Sequence, residues 1–314
     1  MIILKKVIFI ILAIFLCLVL VALGVFFWLT SSTTTTAYLN IEQGKVQVNQ
    51  GKGWIDAVDE MTLRLDDKVK TLANGKASLV LYESTIISLD PDTEVSLTDL
   101  SKEHLRIRQD SGSTWNKFTG LLGVQGLSVE TPNTVATVRG TSFEVTLDSV
   151  MVGEGVVEVS FEGEKITIKQ DEKVVLEERE GIKRLVKKML SKTDDKRLLE
   201  KMERTVEVMK KIRKREINKK KIVVERLKKR YHISEKEIDE SLDQADQGLF
   251  DLDEIEEKSP VKMEAVKRVK ALTERIIKQN LARQRLREKV QSNVTRDTSR
   301  VPEKKTILSK AITR

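Results

Sequence analysis

At 314 residues the chain is long enough for one or two folded domains beyond any anchor, and its lone cysteine, Cys17, excludes a disulfide framework within one chain. Aromatics make up only 4% and charged residues 33%, so the capacity for apolar burial must be concentrated in particular segments. The net charge of +8 conceals two regions of opposite sign: residues 181–314 hold 39 Lys and Arg against 23 Asp and Glu, and residues 1–180 hold 17 against 25.

The first apolar segment runs from Val7 to Trp28 without a charge or a proline. At about 1.5 Å of rise per residue it spans about 33 Å, enough for a hydrocarbon core of about 30 Å. A cleaved signal peptide has an apolar stretch of only about 7 to 15 residues. This one is longer and lacks a small-x-small cleavage site, so the pattern predicts a transmembrane anchor over residues 7–29. Lys5 and Lys6 precede it and no Lys or Arg follows until Lys45, which makes residues 1–6 a cytoplasmic stub of a single-pass protein whose bulk lies outside the cytoplasmic membrane. Residues 30–37, with Ser31, Ser32 and Thr33 to Thr36, form a polar linker.

From Tyr38 to Leu176 apolar residues recur with period 2, as in Val46/Val48, Leu79/Leu81, Leu105/Ile107, Phe143/Val145 and Val157/Val159. Turn signals interrupt them at Asn74-Gly75, Asp90-Pro91-Asp92, Gly112 and Glu162-Gly163. This predicts an all-β domain over 38–178, a twisted roll, a sandwich or a short β-solenoid-like coil. Gly44 to Val48 resembles Gly155 to Val159, an internal echo of one β unit.

After Gly181 the period becomes helical, and a basic α-helical region is expected over 179–292. Thr193-Asp194-Asp195 is its expected first cap, Ser234-x-x-Glu237 a capping box, and Ser259-Pro260 the start of a third helix. The stretch from Tyr231 to Glu257 has 11 acidic residues against one Lys and lies between two basic helices. It is placed to neutralise both in a small antiparallel assembly. Residues 293–314 are expected to be a disordered tail.

Three stretches carry a family resemblance: Gly44-x-Val46-x-Val48; Asp66-x-x-Val69-x-Thr71 with Asn74-Gly75-x-Ala77-x-Leu79; and Thr131-Pro132 leading to Ala136-x-Val138-Arg139-Gly140-Thr141-x-Phe143-x-Val145. The region from Gly44 to about Leu176 resembles a FecR domain. The resemblance implies an extracytoplasmic β module for sensing or protein interaction. The stub at residues 1–6 departs from the namesake branch, because it leaves no room for a sigma-binding segment.

Val138, Arg139, Gly140, Thr141 and Phe143 are expected to be structural, with Gly140 permitting a positive φ or a close backbone approach and Arg139 pairing with a carboxylate across the sheet. Trp54 and Trp115 are expected to plug the core with one edge exposed. Asp66-Asp67 and Asp90-Pro91-Asp92 fit solvated turns. His104 and His232 have no second ligand at zinc spacing, and there is no nucleophile elbow, phosphate loop or dinucleotide fingerprint, so neither metal, cofactor nor catalysis is expected. Lys210, Lys211, Arg213, Lys214, Arg215, Lys219, Lys220 and Lys221 are the candidate contacts to an anionic surface such as lipid. The expected function is a non-enzymatic module binding an envelope protein or polymer; the rivals are a structural envelope scaffold and, least favoured, nucleic-acid binding.

Overall fold

The computed structural model describes residues 37–83, 85–119, 123–219, 221–232, 234–253 and 264–298. The expected stub, anchor and nearly all of the linker, Ser259-Pro260, Lys220 and residues 299–314 lie outside them. Among the described residues no helix is long and apolar enough to cross a membrane.

Alternation does produce strands, and they assemble into two facing sheets. The chain visits the sheets in turn, mostly a hairpin at a time. The first sheet holds β1 (Ala37–Gln43), β5 (Lys76–Leu81), β6 (Thr85–Leu89), β9 (Ser113–Phe118), β12 (Ser142–Thr146), β13 (Ser149–Glu154), β16 (Glu172–Arg179) and β17 (Ile182–Met189), in that spatial order. The second runs β15 (Glu164–Lys169), β14 (Val156–Phe161), β11 (Val135–Val138), β10 (Leu127–Glu130), β8 (Leu105–Ser111), β7 (Glu94–Leu100), β4 (Lys68–Thr71), β2 (Val46–Asn49) and β3 (Trp54–Asp56). Its β8–β10 pair is parallel and its other pairs are antiparallel.

Inward residues of both sheets, among them Leu39, Val48, Leu79, Ile107, Val129, Phe143 and Val157, form one continuous core. The FecR-like stretches meet there by close backbone contact. A Cβ on Gly44 would lie 2.1 Å from the Asn74 carbonyl oxygen, and one on Gly75 would lie 2.4 Å from that of Lys45. Only glycine lets these two segments cross.

The β domain extends beyond its expected end. Glu180 and Gly181 both take positive φ, closing a two-residue hairpin that pairs β16 with β17 from Arg179↔Ile182 to Glu172↔Met189. Residues 182–189 are therefore strand, where the sequence pattern pointed to helix. Leu185 supplies the one fully inward anchor of that strand.

The helices follow: α1 (Lys192–Asn218), α2 (Lys221–Tyr231), α3 (Glu235–Asp246) and α4 (Glu264–Thr298). The cap of α1 is Ser191 rather than Thr193, with Asp194 completing a capping box. The box at Ser234 and Glu237 forms as expected. Helix α4 continues to Thr298, so residues 293–298 are helical. Helices α1 and α4 lie antiparallel, as Lys289 reaches Asp195 at one end and Arg213 reaches Thr273 at the other.

Candidate interaction surface

The outer face of the first sheet is covered by α1. Trp115 on β9 points outward and is fully buried beneath it with Met151, Leu198 and Met202, and its indole N–H donates to Thr205 Oγ1 at 2.8 Å. It is thus a plug between sheet and helix, not between the sheets, and no edge is exposed. A second apolar patch joins Tyr38, Val80 and Ile86 of the sheet to Val206, Met209 and Ile212 of α1 and to Leu272 and Ile276 of α4.

Between these patches the contact is ionic. Arg197, Lys201 and Arg204 recur every three or four residues and so share a face of α1. Arg197 meets Glu144 at 2.8 Å, and Lys201 meets both Glu144 and Asp90. Arg204 bonds Glu42 through Nε at 2.6 Å and Nη2 at 3.1 Å, Asp90 through Nη1 at 3.1 Å, and the carbonyls of Ala77 and Leu89 through Nη2 at 2.8 Å each. Glu144 is only 2% exposed, and Arg197 and Lys201 are the cations that face it. The opposite net charges of the two halves of the chain are in part a docking device.

Asp90 therefore anchors a helix, whereas its sequence context pointed to a solvated turn. Asp66 and Asp67 do serve a turn, but only Asp66 is solvated: Asp66 is exposed with a positive φ, whereas Asp67 is buried and accepts from the Arg64 N–H and from Gln50, which replace its water. The acidic α3 neutralises its neighbours as expected, through Lys210 with Asp243 and Arg213 with Asp246; Asp253, just beyond it, pairs with Lys270 of α4.

The basic run is dispersed by folding. Arg213 is buried, donating Nη2 to Asp246 at 2.9 Å and Nη1 to Thr273 at 3.0 Å. It is not a surface contact. Arg215 stacks 3.7 Å over the Tyr38 ring, whose phenol is pushed by burial up to about 12. Lys219 pairs with Glu83 and Glu216. Lys211 and Lys214 stay exposed, and the side chain of Lys221 lies outside the described residues. Burial, opposed by Lys219 and reinforced by neighbouring Glu216, raises the Glu83 carboxyl above its ordinary value.

In the motif around Gly140, Val138 and Phe143 point into the core and Thr141 is buried, while Gly140 takes φ +71° with open space around its α-carbon. The positive φ is the reason for glycine here, not a close approach. Arg139 is exposed and makes no ion pair among the described residues, contrary to its expected cross-strand role. Trp54 is half-buried at the edge strand β3, with Lys70 Nζ 4.3 Å from its ring, beside exposed Ile55. His104 bonds Ser128 and His232 is exposed. Among the described residues no group of side chains could hold a metal ion.

Sequence reasoning missed Glu42, Asp90, Glu144, Arg197, Lys201 and Arg204 as a set. The available signal was the helical spacing of the three cations together with the charge asymmetry.

These features define a two-sheet β module with a docked layer of basic helices. Residues 67–161, from the turn before β4 to the end of β14, match the model of the FecR protein family, which shows the resemblance over that span. Comparison with curated proteins returns no match. Two crystal structures of a candidate anti-sigma factor from Parabacteroides distasonis ATCC 8503 are similar at 18% identity, with TM-scores of 0.35 and 0.34. Each similarity covers 39% of this chain and 59% of the other.

Proposed function

We propose that this chain is a membrane-anchored, non-enzymatic FecR-like interaction module outside the cytoplasmic membrane, contributing to signal transduction by binding an envelope protein or polymer. The observation that carries the reading is the FecR match, which is laid over strands of both sheets in one continuous body. The described edge of that body at β3, with Trp54, Ile55 and nearby exposed Val58 and Leu65, offers apolar surface for a partner. The nucleic-acid reading loses support because Lys210, Arg213, Arg215 and Lys219 are engaged within the chain. Chemical cross-linking of the full chain in native membranes, read by mass spectrometry, tests the proposal. Reproducible cross-links from the β domain to one envelope component are expected, and their absence across repeated preparations would favour a structural scaffold.

A further inference from the structure

Helix α4 fits its seat imperfectly. Ten buried side-chain polar atoms among the described residues have no hydrogen-bond partner, and five of them belong to α4: Arg268 Nε, Arg275 Nη2, both amide atoms of Gln279 and Asn280 Oδ1. Gln279 is 1% exposed. Each such atom gives up protein hydrogen bonding where it is buried, which disfavours the docked helix. Arg275 is also a largely buried cation for which no ion pair is found among the described residues, and burial draws its guanidinium down to about 10. It stands close enough to Lys117 to repel that ammonium, which is itself buried and bonded to Glu154 at 2.6 Å. Glu154 must also serve Lys278 of α4 at 3.3 Å. Lys117 and Lys278 thus share one carboxylate, and Arg275 beside them has none.

The attractive contacts of α4 are modest by comparison. Leu272 and Ile276 are its buried apolar anchors, with Ala282 and Leu286 partly buried against the Trp115 cluster. Its outer ion pairs, Arg287 with Glu203 and Lys289 with Asp171, are about half exposed on both sides and contribute little, though Lys289 also reaches the buried Asp195. A cleft of about 400 Å³ remains open beside it, lined by Gly153, Leu198, Met202, Leu281, Arg285 and Leu286 among others.

We propose that α1 and the outer face of the first sheet form a helix-binding seat, that α4 is its exchangeable intramolecular occupant, and that the partner it admits is an amphipathic helix with a carboxylate where Arg275 stands and an apolar residue where Gln279 stands. Such a helix keeps the Leu272 and Ile276 contacts, gives Lys117 and Lys278 a second carboxylate, and removes the unpaired amide at position 279. The inference deepens the interaction-module reading by naming the chemistry of one partner, and its test does not depend on finding that partner in the cell.

The test is hydrogen exchange of the full chain in lipid nanodiscs, read by mass spectrometry. Amides of α4 are expected to exchange at least about tenfold faster than those of β6, β9 and β12, in an opening that leaves the sheets closed. Gln279→Leu should slow α4 exchange about tenfold, since it removes two unpaired atoms. A peptide of residues 264–298 carrying Arg275→Glu and Gln279→Leu, added at millimolar concentration to compete with a tethered helix, should speed α4 exchange, and the unaltered peptide should do so less. Exchange of α4 only together with the sheets, an unchanged or faster rate in Gln279→Leu, or equal action of the two peptides would each overturn the proposal. If exchange behaves as expected while cross-linking finds no envelope partner, the functional reading fails and the seat stands.

Discussion

Removing Arg204 tests whether the helical layer is held by charge. Its side chain is 12% exposed, and its guanidinium satisfies two carboxylates and two backbone carbonyls. Arg204→Met keeps much of the stem and deletes all of these bonds. Breaking a buried ion pair from one side costs about 3 to 5 kcal/mol, because the partner charge stays buried. Here Glu42 retains the Ser78 hydroxyl at 2.6 Å and Asp90 retains Lys201, so the low end applies, about 3 kcal/mol. Arg204→Lys should recover only part of it, since an ammonium cannot span both acids in the plane of the fork. The assay is urea unfolding of residues 36–314, whose cores lie within that segment, followed by helical circular dichroism and by tryptophan fluorescence. A loss below about 1 kcal/mol for Arg204→Met would refute the reasoning and leave Trp115 and the apolar patches as the real fastening.

Three further outcomes follow from the same geometry. Gly44→Ala should cost more than about 2 kcal/mol in the same assay, because its Cβ would meet the Asn74 carbonyl oxygen at 2.1 Å from a positive φ. Burial opposes ionisation of Asp194, but Lys173 and the bonds from Ser191 hold its carboxyl below the ordinary value. That contribution is present above the unfolded pKa of about 3.9 and lost as pH falls through the folded value, so Asp194→Asn should cost about 1 kcal/mol at pH 7 and converge with the parent chain in acid. Glu83 has the opposite sign: its raised folded pKa means that charging it costs stability, a cost absent at low pH and complete above the folded value. The stability of Glu83→Gln relative to the parent chain should therefore improve as pH rises from about 4 to 8, and a decline over that range would contradict the assignment.

Much of the β architecture was legible because alternation is a local property. Val46/Val48, Leu105/Ile107 and Val157/Val159 all point inward, as their spacing requires of a strand with one buried face. Gly140 announced a positive φ, Ser234 and Glu237 a capping box, and the acidic run after Tyr231 the neutralisation of its neighbours. These features concern residues close in sequence or charge balance over whole segments. Strand β17 was not legible, because its weak apolar pattern becomes a strand only by pairing with β16 across the Glu180-Gly181 turn.

The candidate surface was less visible for a related reason. Sequence alone determined that a basic helical region follows an acidic β half, but it did not single out Arg197, Lys201 and Arg204 as one face. It could not say that Glu42, Asp90 and Glu144, which are 102 residues apart at their extremes, would stand on one sheet face at the spacing of that helix. Nor could it separate Arg213, buried against Asp246, from Lys214, which stays in water one residue later. Period and composition are set along the chain. Which charge is paired, which tryptophan lies between sheet and helix, and which helix sits on an unsatisfied seat are set across it, since burial and Coulomb energies depend on distance in space.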